Sequence, residues 1–588
     1  MKKQLILSLL LLFLFAQIAL SQNIDLLVKT PDIQNQNEIS PELQKKAVEF
    51  LRETSVDVNN LRTLENRISF SAELAGLMWF NDEDEAREMF QNVIGNFRQL
   101  LAQYDAQLNA LGIEPTEEDF MPFGSSSRSK ITKKFVKAMS VRQQITMSLA
   151  EHDPRLAMDF FIETAQAISN PKFRKQIEQQ DKYFESRLLN EIAAQDIDLA
   201  LKYGRKNLSK GINYQTIELL KKIYEKDAEK GVSFGEDIVS TIKLSGLDEN
   251  EDSGFYIYDS LMDFGESSLK KTKNGKDKPA VFSPQSMRDI AEALAREILK
   301  RDPDNAVGIE TYISNIEKYA PARAAQIRTK FATKSGGKGT GSGKRVKMDE
   351  AISIAVSSDD EAVKADENIE EKLMKDVANL GNKELSDEAR EETISKARRI
   401  IAGIDDREKK LAALSALAMQ VAQLGDKKLA SEVLEEAGSL INLQPVNYRD
   451  YMEIWMLITA YSSIDAEKSF PLLENTIYRL NDTLAAFVKV GEFIDVEGDM
   501  VEDGEVQLGS FGGGMTRELL RGLGSSDKVV RNLSIADFER MRNITNRFDR
   551  HEVRVLAKML VLRSVLGSLK GEVSDIETEA AQDIKEPN

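Results

Sequence analysis

The stretch Ile145-Thr-Met-Ser-Leu-Ala150-Glu-His-Asp153-Pro-Arg-Leu-Ala157-Met-Asp-Phe-Phe161 decides the fold. Apolar residues keep helical spacing up to Ala150, stop at a short polar turn, and resume after Asp153. An Asp at the turn accepts hydrogen bonds from the free amides of the next helix, and its charge suits the positive end of the helix dipole. Pro154 then stands at the first helical position, where its missing N–H is no loss. Ala157 follows one turn inside, where a small side chain lets the preceding helix come close. The unit is therefore a helix, a tight turn and a second helix.

The same spelling recurs. Asp82 with Ala86, Asp153 with Ala157, Asp196 with Ala200, Asp302 with Ala306, Asp426 with Ala430 and Asp465 with Ser469 each place a small residue four positions after an Asp. The intervals between the Asp residues are 71, 43, 106, 124 and 39, so the short ones suit one helix pair and the long ones two or three. Stripes such as Ala86, Met89, Phe90, Val93, Ile94, Phe97, Leu100 and Leu101, or Leu411, Leu414, Leu417, Ala418, Val421 and Leu424, mark buried faces of amphipathic helices. Strand-like alternation is nearly absent. The expected fold is all-α, an α-solenoid of stacked antiparallel helix pairs in which neighbours close a core that no single pair could bury.

These features resemble tetratricopeptide-type or HEAT-like helical repeats over residues 41 to 570 in outline, although no copy keeps the full tetratricopeptide pattern of aromatic, Gly and Pro positions. What the resemblance implies is a curved scaffold with an extended binding surface, and no particular activity.

Composition narrows the function. The chain has 588 residues, 79 Lys+Arg against 97 Asp+Glu, a net charge of −18 and an apolar fraction of 41%. It carries no cysteine, which excludes disulfides, thiolate metal sites and thiol nucleophiles. Its two histidines, His152 and His551, rule out a multi-histidine metal site within one chain. The acidic balance argues against nucleic acid as a partner.

Residues 1–21 read as a secretory signal peptide: Lys2-Lys3, an apolar run from Leu5 to Leu20, and small residues Ala19 and Ser21 before a cleavage site at Gln22. The expectation is an exported bacterial protein of the periplasm or the cell exterior, with no membrane span in the mature chain. Without a cysteine at the cleavage site, a lipoprotein anchor is excluded. An extended segment over 22–40 leads into an N-terminal helical repeat domain over 41–333, with a surface-loop insertion at 247–284. A Gly-rich flexible linker follows at 334–347, then a C-terminal repeat domain over 348–571 and an acidic tail over 572–588 read as disordered. Alternation around Ile494, Val496, Val506 and Leu508, with glycines between, predicts a small β-hairpin insertion within 491–514.

Candidate chemistry is sparse. Asp248, Asn250, Asp252 and Asp259 stand at ligand positions of a calcium loop, since a hard cation takes several oxygens, although Ser253 replaces the usual glycine and Asp259 the usual longer Glu. A second acidic cluster comprises Asp495, Glu497, Asp499, Glu502, Asp503 and Glu505. The Gly336–Lys344 run fails as a phosphate loop because Lys338 and Arg345 occupy the glycine and hydroxyl positions. Ser127 with Lys130 and Ser268 with Lys271 fit Ser-x-x-Lys without its companion motifs. Glu266-Ser267 matches a lytic transglycosylase dipeptide, again alone. Trp79, Phe80, Phe160, Phe161 and Trp455 read as core, and Arg128, Lys130, Lys133, Lys134 and Lys137 as a solvated helix face. Together these point to a non-enzymatic scaffold with protein partners in the cell envelope; the alternatives are a carboxylate-based enzyme acting on envelope glycans and a calcium-dependent structural spacer.

Overall fold

Helices begin where the sequence supplies an oxygen at the turn. Asp153 accepts from the amides of Arg155 and Leu156 at 3.0 Å, Asp196 from Leu199 at 2.9 Å and Asp426 from Leu429 at 3.0 Å. Asp82 accepts from Glu85 N at 3.0 Å. The small residues that follow, Ala86, Ala157, Ala200, Ala430 and Ser469, are all fully buried. Ser469 uses that position for an interhelix bond, its hydroxyl donating to Ile458 O at 3.1 Å. Asp302 and Ala306 lie outside the described residues. The computed structural model describes residues 39–111, 127–245, 254–273, 278–301, 309–332, 387–493, 501–511 and 527–567. They are mostly helical, with one two-stranded antiparallel sheet.

The described chain opens with α1 (Pro41–Asn59), α2 (Leu64–Met78) and α3 (Glu83–Ala110). Then come α4 (Ser127–Ala150), α5 (Pro154–Gln166), α6 (Pro171–Ile192), α7 (Ile197–Asn207), α8 (Tyr214–Lys226) and α9 (Ala228–Ser245). After these run α10 (Gly254–Lys273), α11 (Pro284–Lys300), α12 (Ile309–Tyr319) and α13 (Pro321–Ala332). Two compact units emerge, one of residues 94–332 and one of 39–93 with 387–567.

In the unit of residues 94–332, successive helices pair as α4 with α5, α6 with α7, α8 with α9, α10 with α11, and α12 with α13. First helices also pack on first helices, α4 on α6, α6 on α8, α8 on α10 and α10 on α12, while α7, α9, α11 and α13 follow the same rule. A seventh Asp-plus-small pair, Asp227 with Gly231, starts α9; Asp227 accepts from Lys230 N at 3.1 Å. A Cβ at Gly231 would lie 2.5 Å from Tyr224 Cα, so only glycine allows α9 to leave α8 so tightly. Ion pairs between second helices, such as Arg205 with Asp237 at 2.6 Å and Lys243 with Asp289 at 2.8 Å, add specificity more than stability.

The other unit holds α14 (Asp387–Ala402), α15 (Arg407–Gln423), α16 (Lys427–Gly438), α17 (Tyr448–Ile464) and α18 (Ala466–Phe493). It ends with α19 (Asp527–Ala536), α20 (Phe538–Thr545) and α21 (His551–Leu566). One core joins Phe50, Leu74, Leu417, Val433, Ile458, Phe470 and Leu562. The buried stripe of α1, Ala47, Phe50, Leu51 and Val58, is completed by the far end of the chain: α1 and α2 both pack on α21, and Phe50 meets Phe538 edge-on at 5.9 Å. Lys558 to Asp57 and Arg542 to Glu53, each at 2.6 Å, border this junction.

The hairpin is β1 (Val501–Glu502) against β2 (Glu505–Val506), with Val501 opposite Val506 and Asp503 and Gly504 at positive φ in the turn. Ile494 and Val496 of the alternation lie outside the described residues. The segment 247–284, expected as a surface loop, instead contains α10. The aromatic run Phe255–Tyr258 belongs to a helical stripe, in which Ile257, Tyr258, Leu261 and Met262 are buried. No described helix is long and apolar enough to cross a membrane.

Candidate functional site

The cleft between α5 and α7 is lined by Arg155, Met158, Asp159, Asp196, Asp198, Leu199, Lys202 and Tyr203, with a volume of about 420 Å³. Both helices start with a capping Asp. Its charges are largely absorbed by the fold. Asp196 caps α7 and lies 3.8 Å from Arg155, and Asp198 pairs with Lys230 at 2.6 Å. Burial, followed by the neighbouring Glu163 and Asp153 carboxylates, raises the Asp159 carboxyl above its ordinary value. The result is a shallow surface of mixed charge.

Of the calcium-loop residues, Asp248, Asn250 and Asp252 lie outside the described residues. Asp259 stands in the second turn of α10, where Asn315 Nδ2 of α12 donates to its Oδ1 at 2.7 Å. Among the described residues no group of three or more Asp, Glu or His could hold a metal ion. Ser268 is buried; its hydroxyl donates to Gly265 O at 2.7 Å and accepts from Val281 N at 3.1 Å, a structural bridge between α10 and the entry to α11. Glu266 pairs with Lys318 at 2.7 Å and receives the Tyr319 hydroxyl at 3.3 Å. His551 opens α21 with Nε2 2.9 Å from Asp57 O. His152 sits in the turn before α5. Phe160 and Phe161 are core, Trp79 and Trp455 pack on core edges, and Phe80 is exposed. The lysines of the basic cluster follow one another along the first turns of α4.

Two polar centres escape the sequence reading. Arg142 of α4 is fully buried, with Nε donating to Thr164 Oγ1 at 2.7 Å, Nη2 to Phe161 O at 2.5 Å, and Nη1 to both oxygens of Asp181 at 2.8 and 2.9 Å. It ties α4, α5 and α6 together. Burial raises the Asp181 carboxyl above its ordinary value even though Arg142 pulls the other way.

The second centre is Glu505 of the hairpin, buried at the start of α2. Its carboxylate accepts from Arg62 N at 2.6 Å, Thr63 N at 3.1 Å, Thr63 Oγ1 at 3.0 Å and Asn66 Nδ2 at 3.3 Å. An anion there meets the amides leading into the helix and its positive end. Only the acidic clustering around Glu505 was legible beforehand, and it suggested solvent or calcium, not a helix start in another part of the chain.

On the first-helix layer, Tyr183 of α6, Tyr214 of α8 and Tyr256 of α10 are exposed, and the Tyr214 and Tyr256 rings lie 6.1 Å apart. Between α6 and α8, Asn190 Nδ2 donates to Gln215 Oε1 at 2.9 Å. Exposed aromatic rings on one layer can hold an extended ligand by stacking. No family model and no curated protein matches the chain.

Proposed function

We propose that this chain is an exported α-solenoid scaffold that binds protein partners in the bacterial cell envelope. The observation that carries the reading is the packing of residues 94–332, in which successive helices pair and first helices pack on first helices along the chain. Capping oxygens and small residues at the turns support a tetratricopeptide-like arrangement of stacked pairs. Such stacks present one face of first helices to a ligand, and here that face carries Tyr214 and Tyr256. Export rests on residues 1–21, and Ser268 and Glu266 of the reactive-residue motifs are engaged in structural contacts.

The test is in-cell crosslinking and pull-down of the tagged protein, with partners read by mass spectrometry and a signal-peptide deletion as compartment control. A reproducible envelope protein, lost with the deletion and with Tyr214→Ala/Tyr256→Ala, is the expected result. Clearing of peptidoglycan by the purified chain, with no protein enriched, overturns the reading in favour of a glycan-active enzyme.

A further inference from the structure

The run Glu505–Leu508 lies on α2 in the manner of a bound peptide. Asn66 reads its backbone, with Nδ2 donating to Val506 O at 2.9 Å and Oδ1 accepting from Leu508 N at 2.9 Å. The amides of Arg62 and Thr63, just before α2, hold the Glu505 carboxylate, and Val506 and Leu508 are buried among core residues. Backbone clamping by an amide, one charged anchor and alternating buried side chains are the parts from which recognition of an extended segment is built.

The run is also imperfectly satisfied. Gln507 is 4% exposed, yet neither its Nε2 nor its Oε1 makes a protein hydrogen bond, and Ser69 Oγ, against which Gly509 is pressed, makes none either. Glu505 and Gln507 share one side of the extended run. A buried, unpartnered amide disfavours the docked state over one in which water reaches it. The helices beneath, α2 and α21, also pack directly on one another, and Glu552 of α21 accepts from Val506 N at 3.3 Å.

We propose that residues 501–511 are a strap that undocks without the rest of the unit opening, and that the site it leaves on α2 takes an extended, Glu-containing segment of a protein partner. Glu505 is then an internal occupant that the partner replaces. The choice of a protein partner rests on the scaffold reading above.

Hydrogen exchange on the full chain tests the strap, and fluorescence polarisation tests the site with a labelled peptide of sequence Val501–Phe511. In wild type the amides of Val506 and Leu508 exchange faster than the interior of α21. Glu505→Gln speeds them about tenfold, the size of one charged hydrogen bond weakened, and Gln507→Leu slows them about tenfold, the size of one buried unpartnered polar group removed, with α21 protection unchanged. The Glu505→Gln protein binds the strap peptide, and binds a peptide with Gln in place of that Glu at least about tenfold more weakly. If strap and α21 amides exchange together in all three proteins, the strap does not undock and the proposal falls. If the strap undocks and neither peptide binds, the site assignment falls. A pull-down without partners overturns the scaffold reading and leaves both of these measurements intact. Gln507→Leu keeps the test decisive should Glu505→Gln misfold.

Discussion

Replacing Arg142 by Met removes the partner of a carboxylate that sits between helices. Asp181 then keeps its burial without its two charge-assisted hydrogen bonds, and Thr164 and Phe161 O lose their donors. Breaking one side of a buried pair costs about 3–5 kcal/mol. At roughly 2–4 °C per kcal/mol for a unit of this size, the transition of residues 94–332 falls by about 6–20 °C. Asp181→Leu alone does comparable damage, because it strands the guanidinium. The double variant behaves differently. Burial already lifts the Asp181 carboxyl despite Arg142, so the intact pair does not recover its full desolvation. Arg142→Met with Asp181→Leu, which fills the space with apolar atoms, therefore returns to within about 1 kcal/mol of wild type or exceeds it. Calorimetry and urea unfolding of all four proteins give the coupling directly.

The same pair sets a pH signature. A carboxyl raised in the folded state binds its proton there first, so its contribution favours folding as pH falls from the folded value towards the ordinary carboxyl range near about 3.9. As pH rises through that window the contribution is lost, and Asp181→Leu abolishes it. A single Arg142→Met variant within about 1 kcal/mol of wild type, or a double variant no better than the worse single, refutes this account.

Gly231→Ala puts a Cβ 2.5 Å from Tyr224 Cα, a backbone atom that cannot move alone. It lowers stability by about 1–3 kcal/mol, and an unchanged melt denies the close approach of α8 and α9. Asp196→Ala removes the cap of α7 and costs about 1 kcal/mol; Asp196→Asn retains most of it. Ser268→Ala leaves Val281 N without its acceptor and destabilises by about 1–3 kcal/mol, visible in thermal melts and in faster exchange at Val281.

Local physics made much of the helical fold legible. A capping oxygen and a small residue one turn on act within a single turn of chain, which is why Asp82, Asp153, Asp196 and Asp426 mark real helix starts and why Ala86, Ala157, Ala200 and Ala430 are buried. Asp227 with Gly231 does not stand out in the sequence, and the value of the glycine appears only when Tyr224 is seen against it. The α10 helix was hidden by the glycine, acidic and lysine-rich runs around it, although its own stripe is periodic.

The sequence by itself marked several helix starts, the apolar stripes of their helices and a hairpin somewhere within 491–514. Which faces meet was decided only by tertiary structure. The stripe of α1 is completed by α21 from the far end of the chain, Glu505 completes a helix whose first residues lie more than four hundred positions away, and Arg142 is charged on a face that becomes wholly interior. Caps and periodicity are short-range and repeat with the backbone, whereas burial of a charge is settled by what the distant chain brings to it.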